Sequence, residues 1–224
     1  MSEVITYSHL ILSNCIIFDL DGTLCDTIGD IERSLIDTFL RNNCPVPNMN
    51  RLRVGPPLSV MIDELLGGNV DQDFVEKIAS AYREDYESSN YEISPLYPGT
   101  FELLLRLKSI GKKLAVATLK REMSTLRLID RRNISGFFDT IFCCDTGGIM
   151  YTKEQMLAAI ISQLGIKASE TIFFGDSVGD ITAGQKNGIT TVAVLFGYGT
   201  PEELIAAKPD YICNNYAECN ISVE

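Results

Sequence analysis

Asp19 and Asp21 stand one residue apart, immediately after the apolar run Cys15-Ile16-Ile17-Phe18. A second acidic pair, Asp176 and Asp180, lies within Gly175-Asp176-Ser177-Val178-Gly179-Asp180. Any one of these aspartates suits a helix cap or a turn. Caps do not account for two of them directly after a buried strand. Gathered with a hydroxyl and a lysine, three or four carboxylates repel one another unless a cation sits among them, and an all-oxygen shell suits a hard ion such as Mg²⁺. A carboxylate is also a competent nucleophile toward phosphorus, and a second carboxyl beside it can serve as general acid and base.

The elements that must gather these side chains read as short apolar runs. Cys15 to Phe18 is too brief for a helix and rich in β-favouring residues, which predicts a buried strand. Similar runs recur at Lys113 to Thr118, Thr140 to Cys143, Thr171 to Gly175 and Thr190 to Leu195, each followed by a loop and usually by a helical pattern. That alternation predicts an α/β fold, a Rossmann-like parallel sheet with helices on both faces. In such a sheet ligands bind beyond the carboxyl ends of the strands. Asp19 and Asp21, Thr118, and the Asp176 to Asp180 segment would then share one crevice.

From Thr27 to about Ser94 no strand-like run occurs, and apolar residues follow helical spacing, as in Ile28, Ile31, Leu35 and Phe39, then Phe74, Val75, Ile78 and Tyr82. Residues 27–94 are therefore expected to form an all-helical cap domain inserted into a core made of residues 1–26 and 95–224. Gly55-Pro56-Pro57 interrupts the insertion, and Tyr97-Pro98-Gly99 marks the return to the sheet. The first dozen residues contain a strand-like stretch without an assigned role.

A formal charge of −11 argues against a nucleic acid polymer as partner, because binding one requires a basic face. No apolar run approaches the roughly 18 to 20 residues of a membrane span, and no secretory leader is evident, so a cytoplasmic location without membrane partners is expected. The seven cysteines lack the spacing of a zinc site or a disulfide framework. Gly175-Asp176-Ser177-Val178-Gly179 also satisfies the GxSxG pattern of a serine hydrolase, but that system needs a later histidine and the single histidine is His9. An EF-hand starting at Asp19 fails because its sixth position is Leu24 rather than glycine. A phosphate-accepting receiver domain would be shorter, with its acidic pair ahead of the acceptor.

Phe18-Asp19-Leu20-Asp21-Gly22-Thr23-Leu24 and Gly175-Asp176-Ser177-Val178-Gly179-Asp180-Ile181 resemble the first and fourth motifs of the haloacid dehalogenase superfamily, and Ala117-Thr118-Leu119-Lys120 is similar to its second. The resemblance runs from Cys15 to about Tyr211, and its helical insertion resembles the phosphoglycolate phosphatase-like branch. It implies that Asp19 attacks phosphorus and that Asp21 handles the leaving-group proton and later activates water. It further implies Mg²⁺ bound by Asp19, Asp176 and the main-chain oxygen of Asp21, with Asp180 supporting the metal shell or the lysine. Thr118 would contact the phosphate, and Lys153, with Lys120 in reserve, would neutralise charge. The proline that often follows this lysine is replaced by Glu154.

The presence of Asp21 favours phosphate chemistry over dehalogenation. The implied activity is hydrolysis of a small phosphate monoester, phosphoglycolate first, with Arg53 as a grip for a substrate carboxylate. A sugar phosphomutase and a non-enzymatic phosphoacceptor or binding protein are the alternatives. The cap is expected to close over the substrate and exclude water. Monomer and homodimer are both compatible with its apolar helix faces.

Overall fold

Cys15, Ile16, Ile17 and Phe18 are all fully buried. A strand covered on both faces has no polar alternation, which is why it reads as an unbroken apolar run. The structure, a computed structural model, describes residues 3–220. Among them the strands are β1 (Glu3–Val4), β2 (Cys15–Phe18), β3 (Lys113–Thr118), β4 (Thr140–Cys143), β5 (Thr171–Gly175), β6 (Thr190–Val194) and β7 (Tyr211–Cys213). They form one sheet in the order β1-β7-β6-β5-β2-β3-β4, and each pairing is parallel. The helices are α1 (Tyr7–Leu12), α2 (Ile28–Arg41), α3 (Leu58–Leu65), α4 (Gln72–Glu87), α5 (Thr100–Ser109), α6 (Glu122–Arg131), α7 (Lys153–Leu164), α8 (Val178–Lys186), α9 (Pro201–Ala206) and α10 (Tyr216–Asn220).

The chain divides into two compact units, one formed by the chain up to Asp26 and from Leu96 onward, the other by Thr27–Pro95. In the sheet unit, Met156, Leu157 and Ile160 of α7 and Ala183 of α8 pack on Cys15, Ile17, Ala115, Ala117 and Phe173. Alternate strand residues point to the opposite face, where Phe18 and Phe174 meet the ring of Tyr216 from α10 at 6.4 and 6.2 Å between centroids. The parallel α/β core expected from the apolar runs is the one that forms. β6 stops at Val194 rather than Leu195, although the Leu195 N–H still donates to the Cys213 carbonyl at 2.9 Å.

The unassigned N-terminal stretch splits in two. Glu3–Val4 adds an edge strand beside β7, and Tyr7–Leu12 is a short helix whose Leu10 is buried. In the helical unit, α2 buries Ile31, Leu35 and Phe39, and α4 buries Val75, Ile78 and Tyr82. Ile28 and Phe74, also on the expected stripes, are half-buried. Asp30 is buried with its charge matched: it accepts from Arg33 at 2.6 Å, the Ile93 N–H at 3.0 Å and the Ser94 hydroxyl at 2.6 Å. Among the described residues no helix is long and apolar enough to cross a membrane.

Candidate active site

Strand register aligns the candidate residues. Phe18 pairs with Val116 of β3 and Phe174 of β5, so the residues that follow these strands emerge at one edge of the sheet. The Asp19 N–H extends the ladder by donating to the Phe174 carbonyl at 2.9 Å. The chain then turns tightly, with the Leu20 carbonyl accepting from Leu24 at 2.9 Å and Cys25 at 3.0 Å. Gly22 holds φ +79°, and a Cβ there would fall 2.0 Å from Asp176 Oδ2. Only glycine fits both the left-handed backbone and that close approach.

Asp176 is held from several sides. Its Oδ1 accepts from the Thr23 hydroxyl at 3.2 Å, its Oδ2 from the Tyr198 N–H at 2.7 Å, and its main-chain oxygen from the Gly199 N–H at 3.1 Å. A Cβ on Gly197 would sit 2.3 Å from Asp176 Cβ, and one on Gly199 would sit 2.2 Å from Asp176 O. Thr23 and the Gly197-Tyr198-Gly199 segment were not among the residues expected from sequence. The signal was available, because this segment follows the end of β6 and residues beyond strand ends line the crevice.

Ser177 and Asp180 form a capping box at the start of α8: the Asp180 N–H donates to Ser177 Oγ at 3.1 Å, and Asp180 Oδ2 accepts from the Ser177 N–H at 3.1 Å. The serine that completes the GxSxG pattern is therefore occupied as a helix cap. His9, the single histidine and one that precedes the serine, accepts the Thr6 N–H at Nδ1 at 3.1 Å, and its ring lies tilted against Tyr211 at 4.6 Å.

Lys153 opens α7 behind a Thr152–Gln155 capping box. Its Nζ lies 2.7 Å from Asp19 Oδ1 and 2.8 Å from Asp180 Oδ1, and donates to the Ala117 carbonyl at 2.9 Å. Glu154, where a proline was expected beside it, pairs with Lys186 at 3.0 Å and so ties α7 to α8. Lys120 takes a different partner, with its Nζ 3.0 Å from Asp21 Oδ1. Thr118 is buried, and its hydroxyl accepts the Lys120 N–H at 3.1 Å. Arg53 is exposed, on the loop before α3 in the helical unit.

Carboxylate oxygens of Asp19, Asp176 and Asp180 all lie within 4.8 Å of one another, and all three residues are buried. Burial pushes the Asp19 carboxyl up to about 7, with Asp180 and Asp21 adding to the effect against the opposing pull of Lys153. Burial, then the charges of Asp19 and Asp180, push Asp176 up to about 8 despite the Tyr198 N–H. Burial alone would lower the Lys153 ammonium, but Asp180 and Asp19 outweigh it and raise it. Three buried carboxylates against one lysine leave excess negative charge on oxygen donors, which is the donor set a hard divalent cation requires.

Residues 16–194 match the model of the haloacid dehalogenase-like hydrolase family. The chain is 33% identical over 187 residues to the tyrosine-protein kinase PtkA of Mycobacterium tuberculosis, covering 82% of this chain but only 62% of that protein's length. It is 30% identical over 216 residues to a phosphoglycolate phosphatase of Agrobacterium fabrum, covering 92% of this chain and 90% of that one. Among solved structures, a predicted phosphatase from Clostridium acetobutylicum superposes with a TM-score of 0.82 at 30% identity, over 92% of this chain and 96% of that one. The match over most of the chain, set on a parallel sheet whose strand ends carry Asp19, Asp21, Thr118 and Asp176, establishes that this chain belongs to the haloacid dehalogenase-like hydrolase family.

Proposed function

We propose that the protein is a Mg²⁺-dependent phosphatase that hydrolyses a small phosphate monoester through a phosphoryl group carried on Asp19, with phosphoglycolate as the first substrate to test. The observation that carries this reading is the Lys153 ammonium wedged between Asp19 and Asp180, with Asp176 close by. A buried nucleophilic carboxylate beside a fixed cation is suited to receive a dianionic phosphoryl group. Asp19, Asp176 and the main-chain oxygen of Asp21 would hold the Mg²⁺, which supplies neutralising charge to phosphate and transition state.

In the first step an Asp19 carboxylate oxygen bonds to phosphorus as the ester P–O bond breaks, and the departing alkoxide takes a proton from the Asp21 carboxyl. In the second, water attacks the phosphorus and gives its proton to the Asp21 carboxylate. The P–O bond to Asp19 breaks, inorganic phosphate leaves, and the Asp19 carboxylate is regenerated. Thr118 orients a phosphate oxygen, and Lys153 balances charge throughout. The Thr27–Pro95 unit is read as the cap that selects the substrate, with Arg53 available to a substrate carboxylate.

The mycobacterial relative bears the name of a kinase, and the same first step serves transfer to another hydroxyl instead of water. Phosphate release from phosphoglycolate, sugar phosphates and nucleoside monophosphates, measured with Mg²⁺ and with chelator alongside Asp19→Asn, tests the proposal. Turnover that requires both Mg²⁺ and Asp19 is expected. Phosphorylated Asp19 without phosphate release would favour a mutase or phosphoacceptor, and phosphotyrosine formed from ATP would favour a kinase.

A further inference from the structure

Cys213 closes β7 and Cys219 lies in α10, six positions further on, with their sulfurs 3.6 Å apart and both side chains fully buried. The segment between them is tied in place. Asn215 caps α10 by accepting the Glu218 N–H at 3.0 Å, and Asn214 donates to the Glu218 carboxylate at 3.0 Å. A disulfide needs its sulfurs at about 2.05 Å, so the two sulfurs, already in contact within a segment folded back on itself, have roughly 1.5 Å left to close.

Tyr216 sits inside this loop. Its hydroxyl donates to the Thr23 carbonyl at 3.0 Å, and its ring meets Phe196 at 5.0 Å. Thr23 in turn donates to Asp176. The segment closed by the two cysteines is thus the one that anchors the back of the aspartate turn.

We infer that Cys213 and Cys219 are a disulfide-forming pair, and that their oxidation fastens α10 to β7 and with it the Tyr216 anchor beneath the Asp19 to Thr23 turn. The reaction balances with a disulfide oxidant such as oxidised glutathione: two thiols lose two protons and two electrons, one sulfur–sulfur bond forms, and two molecules of reduced glutathione are released. The neighbouring Cys219 and then burial push the Cys213 thiol well above its ordinary range, which disfavours the thiolate that attacks the oxidant.

The test incubates the folded 224-residue chain with oxidised glutathione, unfolds it in denaturant, alkylates the remaining thiols and maps the peptides without reduction. The expected result is that alkylatable thiols fall by two from seven, and that the peptide holding both Cys213 and Cys219 loses two hydrogens, reversibly with dithiothreitol. The oxidised protein should then show an unfolding constant lowered about tenfold or more, a gain absent from Cys219→Ser treated in the same way. Full alkylation of both cysteines after oxidation, a stable glutathione adduct on either, or a bond to another cysteine would each overturn the inference. The peptide map uses the native chain, so it does not depend on the variant folding.

Discussion

The ammonium of Lys120 faces both carboxylate oxygens of Asp21, at 3.0 Å from Oδ1 and 3.2 Å from Oδ2, with both side chains largely shut away from water. Lys153 and Lys120 therefore divide the two catalytic candidates between them, one beside Asp19 and one beside Asp21. If Lys120 positions Asp21 for proton transfer, Lys120→Met slows an alkyl phosphate by about 10- to 100-fold in kcat. p-Nitrophenyl phosphate, whose leaving group departs without a proton, slows far less, and Lys120→Arg recovers part of the loss. Equal losses on both substrates would show that Lys120 acts elsewhere.

Gly197 and Gly179 flank the same region but answer differently to a methyl group. On Gly197 it meets Asp176 Cβ and the Gly22 carbonyl at 2.3 Å, whereas on Gly179, inside α8, its nearest neighbour is Ser177 Oγ at 3.5 Å. Gly197→Ala is expected to cost about 2 kcal/mol or more and to displace Asp176, lowering Mg²⁺ affinity in calorimetry. Gly179→Ala is expected to gain up to about 1 kcal/mol in chemical denaturation, since alanine is the better helix former. Similar stability for the two variants would contradict this packing.

Asp180 matches half of the charge that Lys153 receives from carboxylates. Asp180→Asn leaves a buried ammonium with Asp19 as its remaining anionic partner. Removing one partner of a buried pair typically costs about 3–5 kcal/mol, but Asp19 remains and the repulsion that Asp180 exerts on Asp19 and Asp176 is relieved, so a loss of no more than about 2 kcal/mol is expected from the denaturant midpoint. An unchanged midpoint would mean that the Asp180 contact carries little energy.

Asp139 accepts from Lys108 at 2.8 Å, Lys113 at 2.9 Å and the Leu114 N–H at 3.0 Å. Burial works against its charge, yet these donors hold the carboxyl down to about 2 from its ordinary 3.8. Because the folded-state value lies below the unfolded one, the contribution is fully present above the ordinary value and is lost as pH falls through the folded value. The stability gap between the wild type and Asp139→Asn should be on the order of 1 kcal/mol at pH 7, after allowance for screening of the exposed lysines. It should shrink between about pH 4 and pH 2, following that carboxyl, and a gap independent of pH would count against the assignment.

The strands β2, β3, β4, β5 and β6 could be read from the sequence because each is a run of four to six residues with mostly apolar character. β1 and β7, at two and three residues, are too short to set up any pattern, and their pairing follows from where the chain returns rather than from composition. α1 was hidden for the opposite reason: its Leu10-Ile11-Leu12 run looks like a strand, yet it closes a short helix at whose start His9 accepts the Thr6 N–H at 3.1 Å. At the site, the sequence pointed to the carboxylates because neither a helix cap nor a turn calls for two aspartates directly after an apolar run. It did not point to Thr23 or Tyr198, which reach Asp176 through a hydroxyl and a main-chain N–H, groups that any chain carries in quantity. The partition of the two lysines was also beyond the pattern, since Lys153 and Lys120 differ by which strand end they reach rather than by residue type.

Cys25 and Leu96 form an antiparallel bridge, and the Tyr97 N–H donates to the Leu24 carbonyl at 3.0 Å. The chain thus leaves the sheet unit and re-enters it at two backbone positions already joined to each other. From the standpoint of the sheet unit, everything between them is a closed detour, and the cost of closing a loop grows only slowly with its length. An insertion anchored in this way can be lengthened, shortened or exchanged during evolution without redrawing the sheet. Swapping Thr27–Pro95 for the corresponding segment of a relative should accordingly leave the sheet unit and its aspartates folded as they are.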